Sequence, residues 1–287
     1  MGEEKKRLPV GVENFELIIN DNYYYVDKTG LISELLRNGG MVNLFTRPRR
    51  FGKTLNMSML EHFFSIEGEQ SIFDGLEISK DTKLCEEHMG KYPVISISLK
   101  GINAATYETA FDFAIQLMQR TAEEFQFLSD SEYLSEHDKS VYRELLDSNM
   151  SETVFCGGLK ILSKLLEKHY RLKVILLIDE YDVPLAKAFE NGYYEQMIFQ
   201  DYVNVFPENY WINTSSNDAV KKFIQMSDNL KTKREIETLL AGGEIIKEIH
   251  QELIYPEMYQ SLENVWSLLF MTGYLTQRGS GRVDAKP

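Results

Sequence analysis

No stretch of the chain is more apolar than Val174-Ile175-Leu176-Leu177-Ile178, and it closes on Asp179-Glu180. A run of this kind, with no alternation of polar and apolar residues, is expected to be a strand buried on both faces. It then belongs in the middle of a parallel sheet flanked by helices. Two further strands are predicted: Val94 to Leu99, bounded by Pro93 and Gly101, and Met41 to Phe45. Tyr23 to Val26 reads as a short extended piece.

Helical spacing fills the intervals. Leu31 to Leu36 is predicted to be helical and to stop at Asn38-Gly39-Gly40. Leu55, Met59, Phe63 and Ile66 recur at three or four and mark a second helix. Tyr107 to Phe127 and Gly158 to His169 mark two more. The acidic and polar residues 128 to 153 are expected to form a loop and a short helix. Strands alternating with helices point to an α/β layered fold. Beyond Phe189 the pattern becomes mainly helical through Met271. Gly273 to Thr276 suggests a turn into a strand, and the polar end is expected to fray.

The predicted strand Met41 to Phe45 leads into "TRPRRFGKT", and the helix marked by Leu55 follows at once. Strand, basic loop ending in Gly-Lys-Thr, and helix is the order in which a phosphate cradle is built. The first glycine of G-x-x-x-x-G-K-[ST] is replaced by Arg47. That glycine permits an unusual turn, and Pro48 stiffens the loop by another route. A Mg²⁺-bound triphosphate needs inward-pointing amides, a lysine at the β- and γ-phosphates and a hydroxyl for the metal. Gly52, Lys53, Thr54 and Leu55 open the helix and supply this turn. Arg49 and Arg50 would reach phosphate oxygens.

Asp179-Glu180 is the second half of the pattern. At the carboxyl end of a buried strand, an aspartate can hold Mg²⁺ through its water shell while the adjacent glutamate polarises the attacking water. Open α/β sheets bind ligands at that end. The same pair would also serve as a simple strand-terminal cap, and the arginines as solvated charges. Tyr181 and Asp182 either shape the site or pack and turn. Tyr25, Asp27 and Lys28 either approach the base or ribose or sit on an exposed edge. The five histidines show no paired ligand spacing, so Mg²⁺ is the only metal expected.

Composition narrows the partners. With 43% hydrophobic and 26% charged residues, neither a disordered nor a membrane class fits. No apolar run is long enough to cross a bilayer, and no signal core follows the charged first residues, so a cytoplasmic protein is expected. Cys85 and Cys156 read as ordinary thiols. The net charge of −13 argues against direct nucleic-acid binding by this chain. Arg47, Arg49, Arg50 and Lys53 form its densest basic group.

"YYYVDKTGLISELL", "TRPRRFGKT", "VILLIDEYDVPL" and "NYWINTSSND", in that order, resemble the prokaryotic AAA-ATPase-like family, whose members often carry a PD-(D/E)XK nuclease-like domain. An arginine at the place of Arg47 is usual in that family. The resemblance implies a P-loop NTPase three-layer sandwich with a parallel sheet over residues 1–195, with its N-terminal extension. A smaller, mainly helical region without the nuclease-like domain would occupy 196–287. It implies ATP and Mg²⁺ as ligands, with Lys53 and Thr54 at the phosphates and metal, Asp179 on Mg²⁺ and Glu180 as the water-activating base. Slow hydrolysis driving a conformational switch is the expected activity; a non-hydrolysing nucleotide-binding scaffold is the alternative. The helical C-terminal region would take a protein partner. Only residues 195 to 208 lie where family members usually have a much longer segment, which would hold further strands and the polar sensor residue.

Overall fold

The structure, a computed structural model, describes residues 6–45, 51–199, 230–250, 261–271 and 274–276. Two parallel strands, β1 (Val94–Ser98) and β2 (Ile175–Asp179), form its sheet, paired in register from Val94 with Ile175 to Ser98 with Asp179. Helices precede, separate and follow them: α1 (Phe15–Asn20), α2 (Gly30–Asn38), α3 (Lys53–Phe64), α4 (Thr82–His88), α5 (Tyr107–Glu123), α6 (Glu136–Leu145), α7 (Glu152–Tyr170), α8 (Val183–Asn191) and α9 (Tyr194–Phe199). Two more described helices, α10 (Leu230–Leu240) and α11 (Leu262–Met271), lie beyond. The protein is thus α/β, mostly helical, with a two-stranded parallel sheet among the described residues.

Side chains alternate across a strand, so the register sorts the sheet into two faces. Ile95 and Ile97 enter a core with Ala110, Ala114, Met118, Phe155 and Leu162, built from α5 and α7 and extended by α6 and α8. Ile175 and Leu177 face the other way, into a core with Phe15, Ile32, Met59, Leu60 and Phe63 from α1, α2 and α3. Helices therefore cover both faces of the pair. Met197 and Leu268 also belong to the first core.

Five of the described helix starts follow from local chemistry. Asn14, Asp81, Thr106, Ser135 and Ser151 each accept a bond from the first turn of the helix they precede, and Ser135 forms a reciprocal pair with Asp138. The Ser151 cap begins α7 six residues before the predicted Gly158. The predicted helix from Tyr107 divides, with α5 ending at Glu123 and a 3₁₀ turn following at Gln126–Asp130.

Three expectations need correction. Met41 to Phe45 carries no strand assignment: Met41 is 100% exposed, Val42 66% and Leu44 43%, and only Phe45 packs against a core. A strand exists through its ladder, and among the described residues this segment has none. The most apolar run is not sealed on both faces, since Leu176 is 41% exposed on the α5–α7 side. With β1 as the one described neighbour of β2, a central position in a wide sheet is not what the described residues form. Tyr23 makes an isolated bridge with Arg7 rather than a strand. The segment "NYWINTSSND" lies outside the described residues, as does most of the expected final turn and fray.

Candidate phosphate-binding site

α3 begins where the sequence places it, and it begins unusually. Gly52 precedes it with φ 75° and ψ 28°, a left-handed conformation that glycine adopts without the Cβ penalty. The Gly52 carbonyl accepts the first helical bond, from Asn56 N at 3.0 Å. No side chain caps this end, in contrast to the five capped helices above. A helix N-terminus collects amide donors and a partial positive charge, which favours an anion.

The direction of α3 follows from its other end. Gly90 N donates to Phe63 O at 2.8 Å and Tyr92 N to Phe64 O at 2.9 Å, just ahead of β1. Ile175 N in turn donates to Pro93 O at 3.0 Å, so the carboxyl end of α3 is fixed at the amino end of both strands. Leu55, Met59, Leu60 and Phe63 then lie against Ile175 and Leu177. A helix of 12 residues spans about 18 Å, close to the roughly 17 Å of a five-residue strand. Gly52, Lys53 and Thr54 are thereby carried toward the carboxyl end of the sheet, where β2 finishes.

Asp179 finishes it. By strand alternation its side chain shares a face with Ile175 and Leu177, the face that α3 covers. It is 9% exposed. Its Oδ1 accepts from Glu180 N at 2.9 Å, while Oδ2 is buried and has no hydrogen-bond partner among the described residues. A buried carboxylate oxygen left in this way is costly unless something else satisfies it. Glu180 itself has φ 52°, an uncommon backbone for a residue with a side chain, so the turn after β2 is strained. Asp182 is fully buried, and its side chain does not cap α8.

The structure thus brings Gly52, Lys53 and Thr54 to the same end of the sheet as Asp179 and Glu180. Leu55 contributes its side chain to the core, leaving only its backbone for a ligand. Arg47, Arg49 and Arg50 lie outside the described residues. Among the described residues, no group of three or more His, Cys, Asp or Glu forms a metal cluster. The donor set at hand, one carboxylate and one hydroxyl, suits Mg²⁺, which keeps waters and takes its remaining ligands from phosphate.

The sequence left one neighbour undecided. Lys28 Nζ lies 3.7 Å from the point where a Cβ on Gly52 would stand, so "YVDKT" sits over the glycine of the loop. Its anchors are specific. Asp27 Oδ1 accepts from Thr29 N at 2.8 Å and Thr29 Oγ1 at 2.7 Å, and Oδ2 accepts from Glu77 N at 2.7 Å. Burial pushes the Asp27 carboxyl up, but those bonds outweigh it and hold it below its usual value. The Tyr25 hydroxyl accepts from Lys28 N at 3.2 Å and donates toward Met59 Sδ at 3.5 Å, and burial raises its pKa. The Asp-x-Thr pattern was the available signal for the turn. Nothing in it announced that Gly52 would be the neighbour.

These elements define an α/β protein in which a helix start without a side-chain cap and a strand-terminal acidic pair lie toward the carboxyl end of a parallel sheet. The chain belongs to the AAA-ATPase-like family described as predicted AAA-ATPase, whose model matches residues 9–230. A curated relative, an uncharacterized protein in the vnfD 5′ region of Azotobacter chroococcum mcd 1, is 39% identical over 98 residues. That match covers 34% of this chain and 18% of the relative, so the chain spans under a fifth of that protein's length. No solved structure matches. Among the described residues, no helix is long and apolar enough to cross a membrane.

Proposed function

We propose that this chain binds ATP with Mg²⁺ at the start of α3 and hydrolyses it slowly, using turnover to drive a conformational switch. One observation carries the reading: the buried Asp179 Oδ2, without a partner among the described residues, faces the α3 side at the end where Gly52, Lys53 and Thr54 open the helix. Family membership supports nucleotide binding.

In this reading the amides from Gly52 to Leu55 cradle the phosphates, and the Lys53 ammonium neutralises their β- and γ-oxygens. Arg49 and Arg50 add cations from the preceding loop. Thr54 and Asp179 would hold Mg²⁺, which when bound would spread the charge of the phosphate oxygens. Glu180 takes a proton from water as that water's oxygen bonds to the γ-phosphorus. The bond from this phosphorus to the β–γ bridging oxygen breaks, and ADP leaves with the electron pair. The strained turn at Glu180 fixes the base next to the metal-holding carboxylate.

ATP binding and phosphate release, measured for the wild type, Lys53→Ala and Glu180→Gln, test this. Lys53→Ala is expected to lose binding, and wild-type affinity in that variant refutes the site. A second reading, a nucleotide-binding scaffold without turnover, is favoured by the narrow described sheet. ATP-dependent thermal stabilisation with no phosphate release selects it. In either reading the C-terminal helical region, including α10 and α11, offers a surface for a protein partner. A net charge of −13 opposes direct nucleic-acid binding, which a salt-dependent DNA titration checks.

A further inference from the structure

We infer that Ser98, the last residue of β1, is a positioning residue of this site: its hydroxyl and the Asp179 carboxylate together hold the water shell of the bound cation. The inference rests on the nucleotide reading above and extends it to a residue that no motif marks. Its own support is separate: the pairing of two strand ends and the unequal surroundings of the two side chains there.

β1 and β2 run in register to their ends, where Ser98 stands opposite Asp179. Ser98 keeps an extended backbone, with φ −116° and ψ 122°, so strand alternation still holds at this residue. Its side chain therefore leaves on the side of Val94, which packs in the core that α3 covers, and shares that face with Asp179. Ile97 and Leu99, both buried in the opposite core, fix the strand end before and after it. Neighbouring strands lie about 4.8 Å apart, so the two side chains start at that spacing. They do not bond to each other, since Asp179 Oδ2 has no hydrogen-bond partner among the described residues.

The two side chains differ in what reaches them. Asp179 is 9% exposed and one of its oxygens is taken by Glu180 N, whereas Ser98 is exposed. The buried Oδ2 is the atom that points to a ligand, because a carboxylate oxygen without a partner is costly until something donates to it. A cation's water donates to it, and the exposed Ser98 stands beside that approach. Ser98 Oγ accepts from Lys100 N at 3.5 Å, long for a hydrogen bond, so it keeps accepting capacity for a second donor. One water has two protons and can donate to both oxygens. Mg²⁺ keeps several waters when bound, and residues that orient such a shell commonly carry roughly 10- to 100-fold in metal affinity.

ATP titrations of wild type, Ser98→Ala, Ser98→Thr, Asp179→Asn and the double variant of Ser98→Ala with Asp179→Asn, each across a Mg²⁺ series and in EDTA, test the assignment, with ligand-free melting alongside. Ser98→Ala is expected to raise the Mg²⁺ concentration for half-maximal ATP affinity by roughly tenfold, to leave affinity in EDTA unchanged and to melt with the wild type. Ser98→Thr is expected to restore the Mg²⁺ dependence. In the double variant, Ser98→Ala is expected to add nothing to Asp179→Asn, because both act through one water shell. Wild-type Mg²⁺ dependence in Ser98→Ala, beside a loss in Asp179→Asn, overturns the role of Ser98 and leaves the nucleotide reading standing. An equal loss in Mg²⁺ and in EDTA also overturns it. So does a lowered melting temperature with wild-type Mg²⁺ dependence, which makes Ser98 only the cap of the 3₁₀ turn Leu99–Gly101. A wild type that binds ATP neither with Mg²⁺ nor in EDTA refutes the nucleotide reading and this inference with it.

Discussion

Asp179→Asn separates a residue kept for a ligand from one kept for the fold. Asparagine retains the Oδ1 acceptor for Glu180 N, now 2.9 Å away, and replaces the partnerless Oδ2 with a neutral amide group. Burying a neutral polar group without a partner costs about 1–3 kcal/mol, and an unpaired carboxylate costs more. The ligand-free variant is therefore expected to gain about 1 kcal/mol. At about 2.1 cal/mol/K per residue, 287 residues give an unfolding entropy near 0.6 kcal/mol/K, so the melting temperature rises by about 2 °C. ATP with Mg²⁺ at a hundred times its dissociation constant stabilises the wild type by about 2.7 kcal/mol, or roughly 4–5 °C. The variant, unable to hold the metal, is expected to lose most of that increment. Thermal unfolding followed by circular dichroism, with and without the ligand, reads both signs. A ligand-free variant that melts several degrees lower, with an undiminished ATP shift, refutes the reasoning and makes Asp179 a structural residue.

Glu180→Gln is expected to keep ATP affinity within about twofold and to reduce phosphate release by roughly 10²- to 10⁴-fold, the usual contribution of a positioned base. Glu180→Gly should relieve the φ 52° backbone, raising stability by about 1 kcal/mol in a chemical denaturation while abolishing release. Tyr142, fully buried, donates to Ala122 O at 2.7 Å, and burial pushes its pKa up to about 12; Tyr142→Phe is expected to cost about 1–2 kcal/mol by the same measurement. The Lys168 ammonium bonded to Asp138, helped by Ser135, lowers the Asp138 carboxyl from 3.8 to about 2. A depressed carboxylate contributes stability that is full above its unfolded value and is lost as pH falls through about 2. Lys168→Met should remove that contribution, flattening the melting temperature between about pH 4 and 2.

What the sequence carried was local. The apolar run marked β2 within one residue, and apolar spacing with Gly-Lys-Thr located the start of α3, because both signals lie within a few consecutive side chains. The same reading failed for Met41 to Phe45, whose apolar residues look like a strand but which has no partner among the described residues; pairing is not a property of the segment itself. Leu176 failed for a related reason, since an unbroken apolar run does not say how much of it the neighbours cover. Lys53, Thr54, Asp179 and Glu180, the residues of the proposed site, were singled out by motif, and their placement toward the carboxyl end of the sheet follows from the register and the direction of α3. Lys28 was legible only as a residue in an Asp-x-Thr turn. Its approach to Gly52 depends on Asp27 reaching Glu77, 50 residues away, which no local pattern encodes.

One polyphosphate is expected to be shared by the start of α3 and the end of β2. A crystal structure with Mg²⁺ and a non-hydrolysable ATP analogue tests that directly. The expected density places the phosphates on the amides of Gly52 to Leu55, with the metal between the Thr54 hydroxyl and the Asp179 carboxylate. Phosphates bound away from α3, or a Thr54 and Asp179 too far apart to share one hydrated ion, contradict it.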